Sequence, residues 1–210
     1  MPVAYSSQVT LPFRSAAPMN IPASYPLVSS LDAFFLRVVL VLASGRGERF
    51  TASGGKVHKL QADLAGTPVM QRTLNAVRAS GLRWHLEDAG HPGMGDSIAA
   101  AVRATLEAPG WMVLPADLPL IRPETLVDIA RAPLAGEVLM PVFEGQRGHP
   151  VRFAPACGDA LAALQGNQGA APVVSARAAI KIVVNDPGCI TDIDTLDDLQ
   201  RAERLLQAAS

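Results

Sequence analysis

Four glycines and four cations crowd into residues 45–59: Gly45, Gly47, Gly54 and Gly55, with Arg46, Arg49, Lys56 and Lys59. Glycines let a backbone adopt positive φ and approach a ligand closely. Exposed N–H groups in such a loop form an anion-binding concavity. The cations add charge, and an arginine can grip a phosphate with its planar fork. A polyphosphate is the ligand this chemistry suits, against the alternative of a solvated surface loop. A second candidate is Asp117, an acid between Pro115 and Pro119. A carboxylate stiffened in this way can hold Mg²⁺ against phosphate oxygens, or can simply cap the next turn. A third is the acidic run Thr191-Asp192-Ile193-Asp194-Thr195.

Two familiar phosphate motifs do not fit the loop. In a P-loop, Gly-Lys is followed by Ser or Thr, whereas Gly55-Lys56 is followed by Val57. A dinucleotide fingerprint needs a third glycine where Phe50 stands.

These groups need a scaffold to converge. Val38-Val39-Leu40-Val41-Leu42 reads as a buried parallel strand that delivers the glycine loop at its carboxyl end, where open α/β sheets bind ligands. Thr67-Pro68 predicts a helix start, with Thr67 as N-cap, an apolar stripe through Leu74 and Val77, and a stop at Gly81. Residues 82–86 predict a strand and residues 98–107 a helix. Between them Gly93-Met94-Gly95-Asp96-Ser97 reads as the capped entry of that helix. Residues 111–114 predict the strand that ends at Asp117. Helices over 123–130 and 156–165, strands over 138–142 and 181–184, and a helix to the end complete the alternation. Thr195 and Asp198 have capping-box spacing. Asp192 and Asp194 are read as alternating on an extended segment, with one facing the site and Asp194 favoured. Strands alternating with helices predict a largely parallel α/β sheet.

The motifs together resemble the MobA/MocA-like nucleotidyltransferases. Leu42-Ala43-Ser44-Gly45-Arg46-Gly47-Glu48-Arg49-Phe50, then Lys59 and Gly66-Thr67-Pro68, is similar to that family's opening pattern. It departs at Ser44, Gly47 and Phe50. The likeness extends through Gly93–Ser97, Asp117-Leu118-Pro119, Gly145–Phe153 and Asp192-Ile193-Asp194-Thr195, over about residues 37–207.

The resemblance implies a single-domain, three-layer α/β/α, Rossmann-like fold of the nucleotide-diphospho-sugar transferase kind, spanning residues 37–210. One βα unit is shortened, since only one strand fits between the first long helix and Gly93. It also implies transfer of a nucleoside monophosphate from CTP, favoured over GTP, to molybdopterin or its molybdenum-loaded form. The nucleotide would contact Leu42, Ala43, Ser44, Gly45, Arg46, Gly47, Arg49, Lys59, Gly95, Ser97 and Pro115. Arg49, Lys59 and Asp117 would be catalytic. Mg²⁺ would sit on Asp117 with Asp194 or Asp192. Arg147, Gly148, His149 and Pro150 would face the acceptor, His149 in a positioning role or as an acid–base group. Asn167 and Ala171 stand where the family carries an acid and an arginine near the acceptor. A sugar or polyol phosphate acceptor remains open, as does a non-catalytic nucleotide-binding chaperone for a molybdoenzyme.

With 49% apolar and 18% charged residues, the 210-residue chain is globular, and a net charge of −1 argues against a broad nucleic-acid surface. Cys157 and Cys189 have no metal-site spacing and read as reduced thiols of a cytoplasmic protein. The apolar run at 38–43 is too short to cross a bilayer. Residues 1–36, with prolines at 2, 12, 18, 22 and 26, predict a poorly ordered extension.

Overall fold

A computed structural model describes residues 37–133 and 135–208; the expectation for residues 1–36 lies outside them. Strand β1 (Val38–Leu42) is buried along its whole length. Its β-branched and leucine side chains suit a strand covered on both faces. The loop after it holds a short helix that the sequence reading missed, α1 (Glu48–Ala52). Its Phe50 is fully buried, worth about 2 kcal/mol of transfer free energy. Gly55 packs so closely on that ring that a Cβ there would lie 2.2 Å from it.

Strands β2 (Asp63–Leu64) and β3 (Thr67–Pro68) form a small hairpin. Ala65 and Gly66 both have positive φ, the signature of a two-residue primed turn. This pairing takes Thr67 and Pro68 out of the helix, so α2 (Val69–Ala79) begins one residue later than expected. Strand β4 (Arg83–Glu87) follows. Helix α3 (Met94–Arg103) starts four residues before the expected position, because extended Gly93 serves as its N-cap. Then come β5 (Trp111–Pro115), α4 (Pro123–Arg131) and β6 (Val138–Phe143). A hairpin turn at Glu144 and Gly145, again both of positive φ, leads to β7 (Gln146–Arg147) and β8 (Val151–Phe153). Helices α5 (Gly158–Ala162) and α6 (Ala171–Ser175), strand β9 (Ala179–Val183) and α7 (Leu196–Ala208) complete the chain.

The sheet runs β4-β1-β5-β8-β6, with β9 on the far edge of β6 and β7 continuing the return strand beside β6. β4, β1 and β5 are parallel, as are β6 and β9, whereas β8 and β7 run against their neighbours. One apolar core joins Val39, Val41, Met112 and Leu114 to α2, α4 and α7. The other joins Val38, Leu40 and Val113 to α3, α5 and α6. This is the three-layer α/β/α arrangement expected from the sequence. A single strand, β4, lies between α2 and α3 and closes one edge of the sheet.

Candidate functional site

The carboxyl ends of β4, β1 and β5 lie side by side, with Leu42 in register with both Glu87 and Pro115. The loops that leave them therefore meet. The Leu42 carbonyl accepts a hydrogen bond from the Ala116 amide, and the Glu87 carbonyl accepts one from Ala43. The Asp117 turn is pinned from behind, where the Thr73 hydroxyl donates to the Ala116 carbonyl at 2.9 Å. The Ile193 amide donates to the Asp117 carbonyl at 3.0 Å, drawing the acidic segment onto the same spot.

The centre is an ion network. Lys59 Nζ lies 2.5 Å from Asp117 Oδ2 and 2.8 Å from Asp194 Oδ1, and Arg49 lies 2.7 Å from Asp194 Oδ2. Burial alone would lower the Lys59 pKa, but the two carboxylates outweigh it and hold it above the ordinary lysine value. Asp194 is likewise desolvated, yet the hydrogen bond from Lys59 and the charges of Lys59 and Arg49 keep its carboxyl below the usual range. Asp192 goes the other way. Desolvation on one side, and the charges of Asp117 and Asp194, push its carboxyl up.

The geometry corrects the expectation that only one of Asp192 and Asp194 faces the site. Residues two apart on extended chain share a face. Asp192 and Asp194 both turn to the site, while Ile193 between them is fully buried in the core. Thr195 and Asp198 form the reciprocal capping box: the Asp198 carboxylate accepts from the Thr195 amide at 2.9 Å, and the Asp198 amide donates to the Thr195 hydroxyl at 3.2 Å. Ser53, at the end of α1, accepts from the Leu196 amide and ties this helix start to the glycine loop.

Two cavities meet at the network. The first, about 390 Å³, is walled by Ser44, Gly45, Arg46, Gly47, Glu48, Arg49, Lys59, His91, Pro92, Gly93, Met94, Ser97, Asn167 and Asp194. The second, about 410 Å³, is walled by Arg49, Lys59, Met94, Pro115, Asp117, Leu118, Gln146, Arg147, His149, Cys189, Ile190, Asp192 and Asp194. Ser44 to Gly47, Arg49 and Lys59 thus come together as the sequence suggested. Several expected contacts do not reach the space. Leu42 is a core residue at the end of β1, and Ala43 packs on the opposite core. Gly95 presses on the Gln165 backbone, where a Cβ would lie 2.7 Å from the carbonyl oxygen. Ser97 does line the first cavity, with its hydroxyl donating to the Gly93 carbonyl at 3.1 Å. Pro115 belongs to the second cavity, not to the glycine-loop side.

On the second side Arg147 is exposed, while Gly148 and Pro150 are buried and line neither space. A Cβ at Gly148 would meet the Cys189 carbonyl at 2.6 Å. Burial lowers the His149 pKa against the Val113 carbonyl and the Asp117 charge, so the ring is held neutral. Asn167 is displaced from its expected place: it lines the glycine-loop cavity, because Asp96 accepts a hydrogen bond from the Gly166 amide at 2.9 Å and docks that loop on the start of α3.

Two residues were missed from the sequence. His58 accepts from the Leu60 amide through Nδ1, so Nε2 donates to the Gly45 carbonyl at 2.8 Å and fixes the shape of the loop. His91, on the far wall, is bonded to Glu87. Isolated histidines in a glycine-rich context carry no spacing signal that would have marked them.

The site also fits a divalent cation. Asp117 Oδ1 is buried with no hydrogen-bond partner, and the Lys59 ammonium stands where positive charge is wanted between two carboxylates. Among the described residues no three ligand side chains form a closed site, so such an ion would share its shell with substrate oxygens.

A MobA-like NTP transferase domain model matches residues 74–181, just over half of the chain. No curated protein sequence matches it. Solved structures with the same fold include a nucleotidyl transferase, Mth528, from Methanothermobacter, 19% identical with a TM-score of 0.68 over 82% of this chain and 98% of that one. Rv0371C from Mycobacterium tuberculosis in complex with manganese is 21% identical, with a TM-score of 0.61 over 80% and 98%. Molybdopterin-guanine dinucleotide biosynthesis protein A from Archaeoglobus fulgidus is 21% identical, with a TM-score of 0.59 over 81% and 99%.

Proposed function

Because the chain belongs to the MobA-like NTP transferase domain family, we propose that it moves a nucleoside monophosphate from an NTP to a phosphorylated acceptor and releases pyrophosphate. The observation that carries this reading is Lys59, whose ammonium is clasped by Asp117 and Asp194 where the two cavities join. The triphosphate lies along Ser44–Arg49, and the acceptor phosphate enters beside Arg147 and His149. An acceptor phosphate oxygen forms the new bond to the α-phosphorus. The bond to the bridging oxygen breaks on the opposite side, and its electrons leave with pyrophosphate. Positioning and charge neutralisation dominate such a step. Arg49 and Lys59 neutralise charge on the α-phosphate and the leaving group. Asp117 and Asp194, with Asp192 beside them, would hold Mg²⁺, and the ion would supply charge neutralisation of phosphate oxygens.

CTP is the favoured donor over GTP, and the favoured acceptor is molybdopterin or its molybdenum-loaded form, on the strength of the motif resemblance. A sugar or polyol phosphate is the alternative, since exposed Arg147 would serve any phosphate. The buried free thiols of Cys157 and Cys189 fit a cytoplasmic protein, and no helix among the described residues is long and apolar enough to cross a membrane. The test is pyrophosphate release with Mg²⁺, molybdopterin and each of the four NTPs. The expected result is release with CTP that requires the pterin and stops on chelation. NTP binding without release for any acceptor phosphate would replace this reading with a binding role.

A further inference from the structure

The carboxyl ends of three adjacent strands set an order along the cleft: Asp117 after β5, the glycine loop after β1, and His91 after β4. With phosphates at Lys59 and the glycine loop, the base of a bound nucleotide extends towards His91. This step rests on the nucleotide site proposed above.

His91 is a constrained ring. Its Nε2 lies 3.0 Å from Glu87 Oε1, which also accepts from the Ala89 amide at 3.3 Å. His85 Nε2 approaches the other carboxylate oxygen at 3.5 Å. Glu87 is desolvated, but these donors hold it ionised and its pKa low. An ionised carboxylate only accepts, so His91 Nε2 carries the hydrogen. In the neutral ring Nδ1 is then an acceptor, on a side chain that lines the first cavity. The Glu87 backbone is tied to the glycine loop as well, through the Ala43 amide, so the ring is fixed relative to the phosphate site.

We propose that His91, oriented by Glu87, reads the nucleobase through Nδ1 and selects cytosine over uracil. Cytosine offers its N4 hydrogens to that acceptor. Uracil offers a carbonyl oxygen in the same position and meets lone pair with lone pair, the pairing that a polar site rejects. His91 contacts the base; Glu87 is a positioning residue.

The test is calorimetric binding of CTP and UTP in Mg²⁺ to the full chain and to three variants. Wild type is expected to bind CTP at least about tenfold more tightly than UTP. His91→Ala brings the ratio towards one while UTP affinity stays within a few-fold. His91→Gln, whose amide oxygen can accept, retains part of the preference. Glu87→Gln, which releases the tautomer, lowers the ratio without weakening both nucleotides equally. A wild type without preference, or an unchanged ratio in His91→Ala, overturns the assignment while leaving the nucleotide site in place. Equal weakening of both nucleotides in folded His91→Ala and Glu87→Gln overturns it too, since that is a structural role. Failure of wild type to bind any NTP overturns the site reading itself, and this inference with it.

Discussion

The two cavities that meet at Lys59 are built by different means. The glycine-loop side is made of backbone and exposed cations: side chains of Arg46 and Arg49 are 69% and 76% accessible. A Cβ placed on Gly45 would meet nothing closer than Lys59 Cε at 3.9 Å. The second cavity is walled mainly by half-buried, mutually braced groups, Asp117, Asp194 and His149, with exposed Arg147 at its edge and Gly148 packed on Cys189 behind it. Under the proposed function the difference has a use: a surface that folds round a triphosphate would keep its charges in water until the ligand arrives, and one that holds a cation would keep its carboxylates close despite their repulsion.

That contrast can be broken most sharply at Asp117. Asp117→Asn is expected to abolish metal-dependent pyrophosphate release with the thermal transition retained; turnover near wild type would remove Asp117 from the chemistry. Next come the two cations. Arg49→Ala and Lys59→Ala should each lose about 10²–10³ in kcat, the scale of one preorganised donor. They should differ in stability. Exposed Arg49 contributes about 0–1 kcal/mol, within the range of surface ion pairs, whereas removal of Lys59 leaves two desolvated carboxylates facing each other and lowers the melting temperature clearly. Equal melting temperatures would undo the distinction between the exposed and the buried cation.

The glycines give a smaller, opposed pair. Gly148→Ala should destabilise by about 1–3 kcal/mol through overpacking on Cys189. Gly45→Ala should leave stability unchanged and raise the KM for the nucleotide, read by paired melting and steady-state kinetics. The smallest effect is electrostatic. Asp192, its pKa raised, favours the folded state at low pH, and this contribution is lost as pH rises through the folded value. Asp194, its pKa lowered, contributes stability above the ordinary aspartate range and loses it as pH falls through the folded value. Asp192→Asn should therefore raise the melting temperature of the ligand-free protein at neutral pH, and Asp194→Asn should lower it.

Much of this was legible before any coordinates. The apolar run at Val38–Leu42, the stop at Gly81 and the Thr195–Asp198 capping box are local signals, and local signals survive into the fold. The glycine loop and Asp117 were legible because each sits at the end of an apolar strand, which fixes where a residue emerges. Helix boundaries slipped where a neighbour competed: the β2–β3 hairpin took Thr67, and contact with Gln165 required Gly95 inside a helix. Leu42 and Ala43 belong to the motif but face the cores, since a motif's residues are held together by sequence and not by direction.

The α/β alternation, the phosphate-suited loop and the chemical types at the site are written into the order of residues, because period, turn chemistry and charge are properties of short stretches. Which of those residues meet is a matter of the folded chain. The clasp of Lys59 by Asp117 and Asp194 joins residues 58 and 135 positions apart. The Glu87–His91 wall matters only because β4 lies beside β1. The place of Asn167 in the wall of the glycine-loop cavity follows from the hydrogen bond of its neighbour Gly166 to Asp96. Strand order and loop docking are set by burial summed over the whole chain, and no local pattern records that sum.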